Sequence, residues 1–170
     1  MAIERVTSSL RIAPICPAQN EAARALIFTV AFEFFGRGEE FEVWRARVSQ
    51  TWLAQDAAEL ATLFPQNGGA FWVLLDGEEV VGTGGVKRVD EETCELKRMY
   101  LLPRARGWGW GRKMAQTAID WARGAGYKRM RLDTDDELVA ATALYQTLGF
   151  RPIPRYKPTG GGLFFEMKLS

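Results

Sequence analysis

Three glycines at alternate positions, Gly107, Gly109 and Gly111, are the clearest chemical signal in this sequence. They stand directly before a predicted amphipathic helix, so they leave several backbone N–H groups uncovered at its N-terminus. Because the helix dipole puts partial positive charge at that end, such a turn is suited to binding phosphate. Arg106 and Arg112 flank the glycines and can add charge-assisted hydrogen bonds. The turn therefore predicts a ligand that carries phosphate.

Two well-known phosphate-binding motifs fit this turn poorly. A P-loop requires GxxxxGK followed by Ser or Thr, whereas Lys113 is followed by Met114. A dinucleotide fingerprint requires GxGxxG after a parallel strand and an acidic residue about twenty positions later. Here the spacing is GxGxG, and Asp133 is the nearest such acid. Both motifs are disfavoured.

The composition excludes several classes of chemistry. The chain has 170 residues, no histidine and two distant cysteines, Cys16 and Cys94. Without histidine, neither Ser-His-Asp or Cys-His catalysis nor an imidazole metal site can form, and we expect no metal. The cysteine spacing indicates neither a zinc ribbon nor a disulfide. With no apolar stretch of about 20 residues and no signal peptide, we expect a cytoplasmic protein with no membrane partner.

The net charge of +1 conceals an uneven distribution along the chain. Between Lys97 and Arg131 there are ten basic residues and one acidic residue, Asp120, while the rest of the chain is net negative. The near-neutral total argues against a nucleic-acid partner, whereas the local excess favours an anionic small ligand bound to this segment.

The order of predicted elements gives a mixed α+β fold in a single domain over residues 1–170. Hydrophobic periodicity predicts a strand, two helices, three antiparallel strands, a helix, a strand, a helix and two strands. Asp76-Gly77 is predicted as a hairpin turn. The predicted strands are 10–15, 71–75, 80–89, 95–102, 130–133, 153–156 and 163–169, and the helices are 17–35, 41–65, 110–124 and 138–148.

Three motifs in order resemble those of the GNAT superfamily of N-acetyltransferases. Arg106-x-x-Gly109-x-Gly111 matches the Arg/Gln-x-x-Gly-x-Gly/Ala signature, and the strand before it reads Glu-x-Lys-Arg-Met-Tyr-Leu-x-Pro over residues 95–103. Leu144-Tyr145-x-x-Leu148-Gly149-Phe150 is similar to the superfamily's terminal helix-to-strand motif. The resemblance covers nearly the whole chain. It implies the acyl-CoA N-acyltransferase fold, in which helices flank a central, mostly antiparallel sheet with a splayed pair of strands.

The resemblance also implies acetyl-coenzyme A as the co-substrate. In the superfamily, the amides of the glycine turn hold the pyrophosphate, and the preceding strand splays at a bulge and pairs with the pantetheine arm. Trp108 and Trp110 depart from the superfamily pattern: we expect Trp110 to pack inward, and Trp108 to lie near the cofactor or on a contact surface. The residues expected to bind the cofactor are Met99, Tyr100, Leu101, Arg106, Gly107, Trp108, Gly109, Trp110, Gly111 and Arg112.

Direct transfer to an amine requires a proton acceptor, an oxyanion donor and a donor to the leaving thiolate. Glu95 stands at the superfamily's frequent glutamate position and is the predicted base, acting through water; the alternative is an ion pair with Lys97 or Arg98. Tyr145 matches the acid tyrosine and is predicted to serve the thiolate, chiefly by donating a hydrogen bond; the alternative is a core tyrosine. A backbone N–H near Leu101 is the predicted oxyanion donor.

The acceptor is the least specified part of the prediction. In the superfamily the first two helices and the last strands enclose it, and here these segments are rich in aromatic and acidic residues. An apolar pocket with an acidic rim suits a small cationic amine rather than a protein tail; core aromatics and a solvated helix face are the alternative. A noncatalytic acyl-coenzyme A sensor and a mononucleotide-binding protein are further alternatives, and a homodimer is left open. The residues concerned are Phe32, Phe34, Phe35, Phe41, Trp44, Tyr156 and Phe164 with Glu33, Glu39, Glu40 and Glu42.

Overall fold

Seven strands in one sheet form the framework of the computed structural model, which describes residues 9–51 and 57–170. Helices cover both faces of this sheet, as the alternation of strand and helix patterns predicts. The strands are β1 Leu10–Pro14, β2 Ala70–Asp76, β3 Glu79–Arg88, β4 Thr93–Leu101, β5 Arg129–Thr134, β6 Arg151–Pro152 and β7 Leu163–Lys168, and the helices are α1 Asn20–Phe35, α2 Phe41–Val48, α3 Leu60–Gln66, α4 Trp110–Gly124 and α5 Val139–Leu148.

The sheet is antiparallel except at one junction. Its order is β1-β2-β3-β4-β5-β7-β6, and β4 with β5 is the parallel pair. That pair is short, because Thr93–Glu95 matches Arg129–Arg131 and the ladder then stops. Beyond this point β5 continues in register with β7 while β4 stays with β3. The mostly antiparallel sheet and the splayed pair of strands are thus confirmed.

Two apolar clusters pack on opposite faces of the sheet. Trp72 and Leu74 of β2 belong to the cluster under α4 and α5, whereas Val73 and Leu75 belong to the cluster under α1, α2 and α3. Because β2 is buried on both faces, its sequence is a continuous apolar run rather than an alternating one. We call the two sides the α4–α5 face and the α1–α3 face.

The helical region after α1 differs from the prediction. One helix over residues 41–65 is wrong, because α2 ends at Val48 and α3 begins at Leu60. The hydroxyls of Ser49 and Thr51 donate to the carbonyl groups of Ala46 and Val48, and such local bonds compete with helix continuation. Trp52 and Leu53, which belong to the predicted pattern, lie outside the described residues.

The last pair of strands also differs from the prediction. The predicted strand 153–156 is wrong, since β6 is limited to Arg151–Pro152. Pro152 and Pro154 have no N–H to donate to a ladder, and the chain leaves the sheet after the Ile153 N–H bonds the Phe164 carbonyl at 2.9 Å. The β2–β3 hairpin loop also begins one residue later than predicted, since Asp76 pairs with Glu79.

No helix within residues 9–51 and 57–170 has both the length and the apolar character needed to cross a membrane.

Candidate active site

The glycine turn enters α4 through a left-handed backbone. Gly107 and Gly109 have φ of 79° and 83°, and Gly109 is the N-cap of the helix. The first bond of the helix runs from the Lys113 N–H to the Gly109 carbonyl at 3.1 Å. Among the described residues, the six amides from residue 107 to 112 find no hydrogen-bond acceptor. Open space lies where a side chain would project at Gly107 and Gly109, so the turn can admit an anion at close range.

Arg106 ties this turn to two other elements. Its Nε donates to the Leu101 carbonyl at 2.9 Å, and its two terminal nitrogens bond both oxygens of Glu33 at 2.6 and 2.8 Å. The hydrogen bond from Arg106 lowers the pKa of Glu33, and the guanidinium lies 5.3 Å from the ring centre of Phe34. Arg106 thus holds the end of β4 against α1, and its contact with phosphate stays a prediction.

The other side chains of the turn have distinct environments. Trp110 packs against the core of the α4–α5 face, as expected, with the Lys113 ammonium 4.1 Å from its ring centre. Arg112 is exposed and donates a hydrogen bond to Thr147 of α5. Trp108 is 63% exposed beside the open amides. An aromatic surface therefore borders the turn.

A β-bulge reshapes β4 next to the turn. Lys97 pairs with Gly85 and Tyr100 pairs with Thr83, so both Arg98 and Met99 lie opposite the single residue Gly84. Arg98 has a φ of +55°, which is a strained value for a residue with a side chain. The fully buried Thr83 hydroxyl donates to the Arg98 carbonyl at 2.7 Å. This bond stabilises the displaced carbonyl group.

The bulge reverses the alternation of side chains along β4. Strict alternation would put Met99 and Leu101 on the face that Glu95 occupies, whereas both pack in the α4–α5 core with Leu96. Tyr100 packs instead toward the α1–α3 face. A side chain at Gly84 would come within 2.6 Å of the Met99 sulfur, so the Met99 side chain would have to move to admit it.

A pocket of about 470 Å³ opens where β4 and β5 diverge. Its walls are residues 96–100 of β4, residues 132–135 at the end of β5, the inner sides of α1, α2 and α5, and the turn at residues 160 and 161. Met99 and Tyr100, two of the residues expected to bind the cofactor, line it, and so does Tyr145. The splayed strands therefore bring the predicted strand and the predicted tyrosine to one cavity.

Glu95 lies at the branch point of the two strands in a network of donors. Its carboxylate accepts hydrogen bonds from Tyr156 at 2.7 Å and Lys157 at 2.8 Å, and it pairs with Lys97 at 2.7 Å. Burial alone would raise the pKa of Glu95, but the ammonium groups of Lys97 and Lys157 outweigh burial and lower it to about 2. The ion pair with Lys97 that the sequence left open is present.

This network opposes a role for Glu95 as general base. A base works best when its pKa lies near the working pH, and a carboxylate with a pKa of about 2 accepts a proton from an ammonium group poorly. Both oxygens of Glu95 are already occupied by protein donors. The base role stays a prediction, and the pH dependence of the Glu95→Gln variant can test it.

Lys157 joins the branch point to the segment between β6 and β7. Its ammonium bonds Glu95 at 2.8 Å and Asp133 at 2.6 Å, and Asp133 also accepts from the Gly161 N–H at 2.8 Å. Tyr156 and Lys157 thus attach residues 153–162 to Glu95 of β4 and Asp133 of β5. No local motif marks these residues, since Glu95 and Lys157 are 62 positions apart.

Tyr145 combines core packing with access to the pocket. Its ring packs edge-on against Phe150 at 5.9 Å between centres, and its hydroxyl forms no hydrogen bond within the described part of the chain. Burial raises the pKa of Tyr145 well above its ordinary range, and the neighbouring Tyr100 and Asp133 act in the same direction. The phenol stays protonated at neutral pH, as a hydrogen-bond donor must.

The cysteines show no sign of a nucleophile. Cys94 is buried, its sulfur lies 3.6 Å from the Arg129 carbonyl, and burial raises the pKa of its thiol to about 12. Because the thiolate is the reactive form, this thiol is inert near neutral pH. Cys16 is exposed and is absent from the walls of the pocket. In the part of the chain that is described, no group of three or more Cys, Asp or Glu side chains forms a candidate metal site.

The expected acidic rim of the acceptor pocket is wrong. Of the predicted aromatic set, Phe35 and Trp44 line the pocket, but the acids of α1 and α2 do not. Glu33 is bonded to Arg106, and Glu39 is bonded to Arg47 at 2.6 Å. The charged side chains that line the pocket are the cations Arg37, Arg47, Lys97 and Arg98 and the acids Asp133 and Asp135.

Comparison with known proteins agrees with this geometry. Residues 34–150 match the model of the acetyltransferase (GNAT) family. The uncharacterized N-acetyltransferase YjgM of Escherichia coli K12 is 43% identical over 98 residues, which cover 56% of this chain and 59% of that protein. The chain thus spans less than two thirds of the length of this relative.

Two solved structures have the same fold. A GNAT acetyltransferase of Staphylococcus aureus Mu50 superposes with a TM-score of 0.80 at 22% identity, covering 95% of this chain and 99% of that one. The acetyltransferase YncA of Salmonella typhimurium, solved with acetyl-CoA, superposes with a TM-score of 0.66 at 20% identity, covering 96% of this chain and 95% of that one.

Proposed function

Because this chain belongs to the acetyltransferase (GNAT) family, we propose that it is an acyltransferase that transfers the acetyl group of acetyl-coenzyme A to a primary amine of a small molecule. The observation that carries the proposal is the turn of unpaired amides at residues 107–112, next to the divergence of β4 and β5. A diphosphate held by the turn directs the rest of the cofactor along β4 toward the pocket.

The backbone supplies most of the cofactor site in this proposal. The amides of residues 107–112 bind the pyrophosphate, assisted by the partial charge of α4. The edge of β4 at Met99, Tyr100 and Leu101 pairs with the pantetheine arm, because β5 has turned away from it. The complex of YncA with acetyl-CoA supports this assignment through the shared fold.

Acetyl transfer then proceeds in one ternary complex. The neutral amine nitrogen attacks the thioester carbon, the new C–N bond forms, and the C–S bond breaks with release of the coenzyme A thiolate. The proton that the nitrogen loses as the amide forms passes to the thiolate or to solvent. A backbone N–H near Leu101 stabilises the oxyanion, and the Tyr145 hydroxyl donates a hydrogen bond to the thiolate. Because the pKa of Tyr145 is raised, donation is favoured over full proton transfer.

The acceptor ammonium must lose its proton before it can attack, and two routes differ in their pH dependence. If Glu95 is the base, Glu95→Gln lowers turnover on the low-pH limb of the rate profile. If the proton leaves to solvent, that limb stays in place. The structure favours the second route, because Lys97 and Arg98 line the pocket and nearby cations lower the pKa of a bound amine.

Release of thiol from acetyl-coenzyme A, measured across a panel of small amines, tests the proposed activity. We expect turnover with at least one class of amine, in keeping with a pocket whose volume suits a small ligand. Binding of acetyl-coenzyme A without turnover would instead favour the noncatalytic sensor. A larger thermal shift with ATP than with coenzyme A would overturn the assignment of the turn.

A further inference from the structure

Four cationic side chains and two acidic ones line the pocket. Arg37 follows α1 and Arg47 lies on α2, while Lys97 and Arg98 lie on β4, and all four line the cavity. Arg98 is 6% exposed, so its charge acts in a region partly shielded from water. Charge interactions are stronger there than at the surface.

The acids near the pocket are occupied by protein partners. Asp133 accepts from Lys157 and from the Gly161 N–H, and Asp135 accepts from the Glu137 N–H at 3.3 Å. Asp133 is therefore engaged by protein donors at both of its oxygens, and Asp135 at one. A diamine or polyamine would bring its second ammonium group to a wall on which four cations stand against these two acids.

Arg47 retains hydrogen-bond donors beyond those that Glu39 uses. Its guanidinium bonds Glu39 through Nε at 3.4 Å and one terminal nitrogen at 2.6 Å, and a guanidinium carries five N–H groups. Glu39 is not among the residues lining the cavity, whereas Arg47 is. A ligand anion can therefore approach Arg47 from the cavity without displacing Glu39.

We propose that the acceptor is a small amine that also carries an anionic group, a carboxylate or a phosphate, bound by Arg47 and Arg98 on the α1–α3 side of the pocket. This inference rests on the proposed acetyltransferase function and gives the chemical class of its acceptor. The anion is held by the arginines while the amine faces the thioester at the divergence of β4 and β5. Repulsion by the same cations excludes polycationic amines.

Matched pairs of acceptors test the charge directly. Each of several amino acids is compared with its carboxamide and with the amine that lacks the carboxyl group, O-phosphoethanolamine gives the phosphate arm, and putrescine is the dication. We expect kcat/KM for the anionic member to exceed that of its carboxamide by at least about tenfold. The intrinsic reactivity of the amines would favour the opposite result. The amino group of the carboxamide is a weaker base than that of the amino acid, so more of it is unprotonated and able to attack at neutral pH.

The outcomes separate this inference from the proposed function. Preference for amino acids identifies a carboxylate, and preference for O-phosphoethanolamine identifies a phosphate. Turnover that is equal or faster with carboxamides, simple amines or putrescine overturns the anionic acceptor while the acetyltransferase stands. No turnover with any amine overturns the proposed function and this inference with it.

Substitution of Arg47 provides a second test, with a control on the same helix. Arg47→Gln should raise KM for the anionic acceptor about tenfold and leave KM for its carboxamide unchanged. Arg45→Gln is the matched control, because Arg45 lies on α2, pairs loosely with Glu42 at 3.7 Å and does not line the pocket. Equal effects of the two variants, or equal effects of Arg47→Gln on acid and carboxamide, would contradict the proposal.

Discussion

The proposed cofactor side and the proposed acceptor side of the pocket are built in different ways. The cofactor side is continuous in sequence, running from β4 through the glycine turn into α4. The acceptor side is assembled from α1, α2 and the segment 153–162, which meet only in the folded chain. In our proposal the cofactor side binds through backbone amides, and the acceptor side binds through charged side chains. A binding site made of backbone amides can thus be recognised from a short stretch of sequence. A site made of paired charges depends on contacts between residues that are far apart in the sequence.

Gly109→Ala should have the largest effect, and that effect should be confined to the cofactor side. An added methyl group occupies the space an anion needs, and loss of two charge-assisted bonds should weaken coenzyme A binding about a hundredfold. Calorimetric titration measures this change. Gly126→Ala is the matched control, because Gly126 has a similar φ of +90° and open space beside it, at the other end of α4. An equal loss of affinity in the control would contradict the role of the turn.

Glu95→Gln should show that the charge network holds the acceptor side together. Folding lowers the pKa of Glu95 to about 2. Its ionised form therefore stabilises the fold above about pH 4.5, and this contribution disappears as the pH falls toward 2. We expect the variant to lose about 3 kcal/mol of unfolding free energy at neutral pH. The difference from wild type should shrink below about pH 4.5 in urea unfolding.

A second carboxylate provides the control for this prediction. Glu166 bonds Arg131 at 2.8 Å on the neighbouring strand and is more exposed than Glu95. Glu166→Gln should therefore cost less than about 1 kcal/mol. If the difference in unfolding free energy between Glu95→Gln and wild type did not change with pH, ionisation of Glu95 would make no contribution to stability, and the prediction would be wrong.

Tyr145→Phe should separate chemistry from binding at the point where the two sides meet. Loss of the donor to the thiolate should lower kcat about 30-fold, while the dissociation constant of coenzyme A stays nearly constant. Tyr127→Phe is a matched control, because both tyrosines are 8% exposed and Tyr127 donates to the Gly68 carbonyl away from the pocket. Unchanged kcat in Tyr145→Phe would remove the tyrosine from the mechanism.

Thr83→Val should produce a smaller loss that reports on the bulge. The substitution keeps the shape of the side chain and removes the bond to the Arg98 carbonyl. We expect kcat/KM for acetyl-coenzyme A to fall about fivefold as the edge of β4 relaxes. Thr83→Ser retains the hydroxyl and should restore the activity. If Thr83→Val lowers the melting temperature but leaves kcat/KM for acetyl-coenzyme A unchanged, the bulge does not position the cofactor.

The local structure of the proposed cofactor side can be predicted from the sequence because its determinants are adjacent. The glycine turn, the capped start of α4 and the strand before it are recognisable from a few consecutive residues. The bulge is harder to predict from the sequence. Strict alternation places Met99 on the same face as Glu95, and nothing in the local pattern marks the extra residue at Arg98. The bulge is expected only from the family resemblance. In the structure, the hydrogen bond from the Thr83 hydroxyl to the Arg98 carbonyl stabilises it.

The acceptor side could be predicted only in outline. The helical pattern locates Glu33 and Glu39 on or near α1, but it does not show that each is bonded to an arginine. The expected acidic rim fails for this reason, and the cationic lining replaces it. The bonds of Tyr156 and Lys157 to Glu95 likewise come from residues that lie outside any regular strand and about 60 positions away in the sequence.

A crystal structure of the protein with acetyl-coenzyme A tests the central claim most directly. The account predicts pyrophosphate oxygens within hydrogen-bond distance of the amides of residues 107–112, and the thioester between β4 and β5 beside Tyr145. A bound cofactor whose phosphates contact other parts of the molecule, with the glycine turn unoccupied, would contradict it.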